Sequence, residues 1–118
     1  MMDERRSVSR IRADRPVRLY HLGTNQVVET LTKDLAPGGM RCLSSTLFPV
    51  STELNLELVF SDGEEPFMVR GRTVWFRTIP QSEQFDLGIA FLDIPPANKR
   101  RLSVYLDRLA AHSSSVPV

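Results

Sequence analysis

At 118 residues, with 42% apolar and 25% charged side chains, the chain fits one globular domain built round one core. Its net charge of +1 argues against a nucleic-acid coat or an acidic tail, and no run approaches the roughly 20 apolar residues of a membrane span. The opening residues Met1, Met2, Asp3, Glu4, Arg5 and Arg6 lack the apolar stretch of a secretory leader, so a cytoplasmic protein is expected.

The positive charge is local. Residues 1–18 carry six arginines (5, 6, 10, 12, 15 and 18) and no lysine against Asp3, Glu4 and Asp14, a balance of +3, whereas the remainder has nine basic and eleven acidic residues. An arginine-rich arm over residues 1–15 on a mildly acidic body suits a small anion better than a polymer, which needs a long stripe of phosphate contacts. Residues 16–20 then alternate, Gly23, Thr24 and Asn25 make a turn, and residues 26–33 return as the second strand of a hairpin.

Asp34 to Gly39, with Pro37, Gly38 and Gly39, breaks this run and is read as a loop whose backbone amides can face a ligand. Extended character resumes at residues 40–43. Cys42, alone of its kind, is read there as a small core residue. Residues 54–60 alternate with a period of two, a turn rich in Asp62, Gly63 and Pro66 follows, and residues 67–76 and 85–91 bring the total to about six short strands. Such strands, separated by turns rather than helices, predict a small antiparallel barrel or sandwich. Past Pro95 and Pro96 the period changes: Leu102, Tyr105, Leu106 and Leu109 recur at helical spacing, and the resulting helix is expected to cover one end or edge of the barrel. The tail, residues 112–118, is read as frayed.

His21 and His112 have no partners at metal-ligand spacing, and no convergent nucleophile and base is visible, so neither a metal site nor an enzyme is predicted. Trp75 and Phe76 are assigned to packing. A nucleic-acid-binding barrel is disfavoured by the acidic body and by the lack of aromatic residues interleaved with basic ones.

Two groups remain. Arg6 and Arg10 stand four apart, and Asp34, Ala36, Gly38 and Gly39 follow after the hairpin. A guanidinium fork pairs with phosphate oxygens or with guanine O6 and N7 and stacks on a base, while a carboxylate accepts from the guanine Watson–Crick edge. Taken singly, each group reads as a solvated arm or an ordinary turn. Their order along the chain, together with residues 71–75, residues 87–91 and the closing helix, resembles the PilZ domain family, whose motifs are RxxxR and (D/N)xSxxG. The resemblance implies a mainly β fold, a six-stranded antiparallel barrel over residues 16–111 with a flexible N-terminal arm and a C-terminal helix. It also implies a bacterial, non-enzymatic receptor for cyclic di-GMP that signals to a protein partner. Arg5, Arg6, Arg10, Asp34, Ala36, Gly38 and Gly39 become the ligand-binding residues, and an arginine at position 5 goes in the family with capture of a stacked ligand dimer. Ala36 departs from the motif serine. The alternative reading is therefore a degenerate PilZ-like adaptor that no longer binds the dinucleotide.

Overall fold

The computed structural model describes residues 10–114. Seven strands and one helix follow in order: β1 (Ile11–Arg12), β2 (Pro16–His21), β3 (Val27–Ala36), β4 (Gly39–Ser44), β5 (Glu53–Leu58), β6 (Phe67–Thr78), β7 (Phe85–Leu92) and α1 (Pro96–Ser114). All neighbours are antiparallel, in the order β3, β2, β5, β6, β7, β4, and β4 pairs back onto β3 to close a six-stranded barrel. Closure is partial along β3: residues 27–31 pair with β2 alone, while its last residues pair with β4 on one side and, at Asp34 and Leu35, with β1 on the other.

The alternation seen in the sequence is what fills the barrel. In β5, Leu54, Leu56 and Leu58 point inward and are fully buried, while Glu53, Asn55 and Glu57 line the outside. Val17 and Leu19 of β2, Met40 and Cys42 of β4, and Leu87 and Ile89 of β7 complete the same core. Each buried aliphatic side chain contributes about 1.5–3 kcal/mol relative to exposure. Outside, Arg18 faces Glu29 and Glu57 across the two adjoining strands, and Tyr20 Oη donates to Glu57 Oε1 at 2.8 Å, so charge pairing supports the register that the core dictates.

The helix closes one end of the barrel, as its leucine spacing predicted. Leu102 and Leu106 are buried, Tyr105 stacks on Phe60 with ring centres 4.3 Å apart, and Phe60 stacks on Phe67. Its first two turns are tied to the β5–β6 hairpin: Asn98 Nδ2 donates to the Met68 carbonyl and Arg101 Nη2 to that of Glu65. Among the described residues, no helix is long and apolar enough to cross a membrane.

Two boundaries differ from the sequence reading. Residues 10–15, assigned to the arm, lie on the barrel because Thr32 gathers them: its hydroxyl donates to the Ala13 carbonyl and accepts from the Arg15 amide, and its own amide donates to the Arg15 carbonyl. The helix runs past residue 111 to Ser114. Residues 1–9 and 115–118, the rest of the predicted arm and tail, lie outside the described residues.

Cys42 sits in the core, and burial, aided by the negative charge of Asp86, pushes its thiol up to about 12 from an ordinary value of 9.0. The native chain is therefore expected to resist iodoacetamide at pH 8 and to react only when unfolded, since the thiolate is the nucleophile. Mass spectrometry after timed alkylation checks this. Fast labelling of the native chain would mean that β4 leaves the barrel readily.

Candidate ligand-binding face

Asp34 does not lie on a loop. It belongs to β3, and only Pro37 and Gly38 separate β3 from β4. What turns its side chain outward is a β-bulge: Thr32 pairs with Cys42 but Asp34 pairs with Arg41, so Lys33 is the extra residue and the strand's alternation changes phase there. Thr32 keeps its place among the inward-facing residues, Leu35 becomes fully buried, and Asp34 moves to the outer wall.

A second bulge does the same on β6. Thr73 pairs with Ile89 and Trp75 with Gly88, which makes Val74 the extra residue and carries Trp75 to the outside. The partners then fall into one row across the barrel wall: Arg12, Asp34, Arg41, Gly88 and Trp75, on β1, β3, β4, β7 and β6 in turn. Gly88 is glycine because the indole lies across it; a Cβ there would stand 2.2 Å from Trp75 Nε1. The packing role assigned to Trp75 holds in that sense, although the packing is external. Phe76, next to it, is exposed.

The row is wired by charge. Asp34 Oδ1 accepts from Arg10 Nη1 at 3.0 Å, and Asp34 Oδ2 lies 3.1 Å from Arg41 Nε. Arg41 Nη1 in turn lies 3.5 Å from Asp86 Oδ2, which accepts from Arg77 Nη2 at 2.7 Å. Cation and anion thus alternate from Arg10 to Arg77 across β3, β4, β7 and β6. The carboxylates are the sunken members, 11% and 4% exposed for Asp34 and Asp86, whereas Arg10 and Arg77 are 48% and 65% exposed. Buried acceptors therefore hold guanidinium groups whose remaining donors face solvent.

Of the residues predicted from the motifs, Arg10 and Asp34 meet directly. Ala36, half-buried, is the last residue of β3 and pairs with Gly39. The two glycines differ. Neither has a positive φ. Gly39 is required by close approach, but of the neighbouring strand rather than of a ligand: a Cβ would sit 2.3 Å from the Ile89 carbonyl oxygen. Gly38 has open space round it, and its carbonyl accepts from the Phe91 amide at 2.8 Å. Arg5 and Arg6 lie outside the described residues.

Sequence reasoning missed Arg41, Asp86 and Arg77. Arg41 follows the glycines by two and Arg77 follows Trp75 by two, but only strand register shows that these positions share a face with Asp34.

Comparison with known proteins agrees with this architecture. The PilZ domain family model matches residues 4–108. Among solved structures the chain is similar to the Bacillus subtilis inhibitor of motility MotI/DgrA, with a TM-score of 0.72 at 18% identity over 87% of this chain and 49% of that one. It is also similar to the PilZ domain of Escherichia coli YcgR with c-di-GMP (TM-score 0.69, 20% identity, 92% of this chain and 96% of that one). YcgR itself, in complex with c-di-GMP, gives 0.74 at 19% identity, over 91% of this chain and 46% of that one. The chain thus spans about half the length of MotI/DgrA and of the longer YcgR chain, and at these identities the likeness is one of fold. No curated protein matches the sequence. With its family model covering nearly the whole barrel and helix, the chain belongs to the PilZ domain family.

Proposed function

We propose that this chain is a non-enzymatic receptor for cyclic di-GMP, acting in the bacterial cytoplasm, and that ligand binding fixes its N-terminal segment against the barrel to present a surface to a protein partner. The observation that carries the reading is the pairing of Arg10 with Asp34, one residue from each motif, at 3.0 Å on the outer wall. The E. coli YcgR structures that resemble this chain contain c-di-GMP, which supports the choice of ligand.

The ligand carries two phosphodiesters and two guanines. Asp34 is already engaged by Arg10 and Arg41, so a guanine edge that donates its N1 and N2 hydrogens to this carboxylate competes with the arginines. Arg10, once displaced, is free to turn its fork onto a phosphate. The exchange keeps the Asp34 carboxylate hydrogen-bonded and gives Arg10 a new anionic partner, which limits the desolvation cost of binding. Arg5 and Arg6 would add forks from the N-terminal segment, and Arg5 would favour two stacked ligands per chain. Isothermal titration of the purified chain with cyclic di-GMP tests the proposal through both affinity and stoichiometry. Absence of heat at hundreds of micromolar ligand would refute it.

Ala36 favours a second reading, in which the chain is an adaptor with a lapsed site. One neutral hydrogen bond is worth about 0.5–1.5 kcal/mol, so lack of the serine hydroxyl weakens binding about 2- to 13-fold rather than abolishing it. Ala36→Ser is accordingly expected to tighten a measurable affinity by that factor. If the parent chain and the serine variant are equally silent, the adaptor reading replaces the receptor.

A further inference from the structure

We propose that Arg41 and Arg77, joined through the buried carboxylate of Asp86, form a second anion subsite on the same wall, which takes a phosphodiester group of the ligand. The proposal rests on the cyclic di-GMP reading above and extends it to residues outside both motifs.

Three observations support it. First, two guanidinium groups meet a single oxygen, Asp86 Oδ2, at 2.7 Å from Arg77 and 3.5 Å from Arg41, so they stand close enough for one phosphate to accept a hydrogen bond from each. Second, the group is unbalanced. Three arginines (10, 41 and 77) share two carboxylates (34 and 86), and Arg77, 65% exposed, donates to Asp86 through one of its five N–H groups. The other outer-wall clusters are not like this: Arg18 lies between two acids, Arg70 pairs one to one with Glu53, and Arg101 is spent on the carbonyls of Glu65 and Pro66.

Third, the cluster is incompletely hydrogen-bonded at its buried end. Asp86 Oδ1 and Arg41 Nε, both buried, have no aligned hydrogen-bond partner among the described residues, although Arg41 Nε lies 3.1 Å from Asp34 Oδ2. Buried ion pairs contribute little net stability, and an unmatched buried oxygen costs more than it returns. Arg41 is suspended between Asp34 and Asp86 with full alignment to neither, and a guanine edge that occupies Asp34 releases it toward Asp86 and Arg77. A phosphate arriving beside that guanine meets two forks that Asp86 already holds on one face. Asp86 is therefore a positioning residue, and Arg41 and Arg77 are the binding groups.

Titration of the full chain with cyclic di-GMP at low and high salt decides the matter, using the parent, Arg77→Ala, Asp86→Asn and the double variant. Arg77→Ala is expected to weaken binding about tenfold and to flatten its salt dependence, because an exposed charge-assisted contact is lost. Asp86→Asn is expected to weaken it comparably, and the double variant no further than the worse single, since Asp86 acts through the arginines. Arg77→Lys should not restore affinity, because an ammonium lacks the fork. Should Asp86→Asn fail to fold in a thermal melt, Arg77→Ala, at a largely exposed position, still gives the answer. Parent binding with unchanged affinity and salt dependence in Arg77→Ala overturns the subsite while leaving the receptor intact. No binding by the parent overturns both.

Discussion

Asp34→Ala is expected to reduce cyclic di-GMP binding at least about 30-fold. The carboxylate is 11% exposed and serves Arg10 at 3.0 Å and Arg41 at 3.1 Å, so its removal leaves two guanidinium groups without their shared acceptor and deprives a guanine edge of its partner. Truncating one member of a desolvated, hydrogen-bonded charge pair costs about 2–5 kcal/mol, from which the factor follows. Arg10→Ala is the companion measurement. Losing one hydrogen bond to a charged group costs about 1.5–3 kcal/mol, or about 10- to 150-fold in affinity. Because Arg10 is 48% exposed, its pair with Asp34 adds little to stability, and the melting temperature should scarcely move. A calorimetric titration of Arg10→Ala that matches the parent would remove this arginine from the site.

Gly39→Val is expected to cost more than about 3 kcal/mol of folding stability, whereas Gly38→Ala, one residue away, should stay within about 0.5 kcal/mol of the parent. At position 39 the new Cβ would meet the Ile89 carbonyl oxygen at 2.3 Å and Ala90 Cα at 3.2 Å, both backbone, so β4 must move off β7 at the seam where the two motif strands turn. At position 38 nothing lies within 4 Å and φ is not positive, so an alanine is accommodated and slightly restricts the unfolded chain. Urea unfolding of the two variants separates the cases. Equal stabilities would show that the turn is looser than the packing of Gly39 implies. Adjacent glycines in one motif thus differ: Gly39 lets strands close, and Gly38 has room for a side chain.

Much of the architecture was legible in the sequence because hydrophobic burial writes its period into the chain. Leu54, Leu56 and Leu58 had to share a face, and the barrel interior is where that face went. Leu102, Tyr105, Leu106 and Leu109 likewise announced one helix with one apolar stripe, and the structure seats that stripe against Phe60 and the barrel end. Turn chemistry at Asn25 and Gly63 marked hairpins, and Gly63 does adopt a left-handed φ of 85°.

The face of the wall was another matter. Plain alternation from Val28 and Thr32 would have sent Asp34 into the core, and the proline and glycines beside it suggested a loop; the bulge at Lys33 does neither and sets Asp34 outward on a strand. The same applies to Trp75, which the bulge at Val74 brings into one row with Arg41 and Asp34. A bulge carries no compositional mark, since one extra residue in a strand looks like any other until its partner is known.

By itself the sequence determined most of the strands, the closing helix and the presence of the two motifs, because each follows from residues within a few positions of one another, but not β1 or the end of β3. Only the tertiary structure decided that Arg10, Asp34, Arg41, Asp86 and Arg77 make one alternating line of charge. Arg10 and Asp34, and Arg41 and Asp86, are joined across separate stretches of the chain, and the register that aligns the whole line is set where β3 and β6 each accommodate one residue more than their partners.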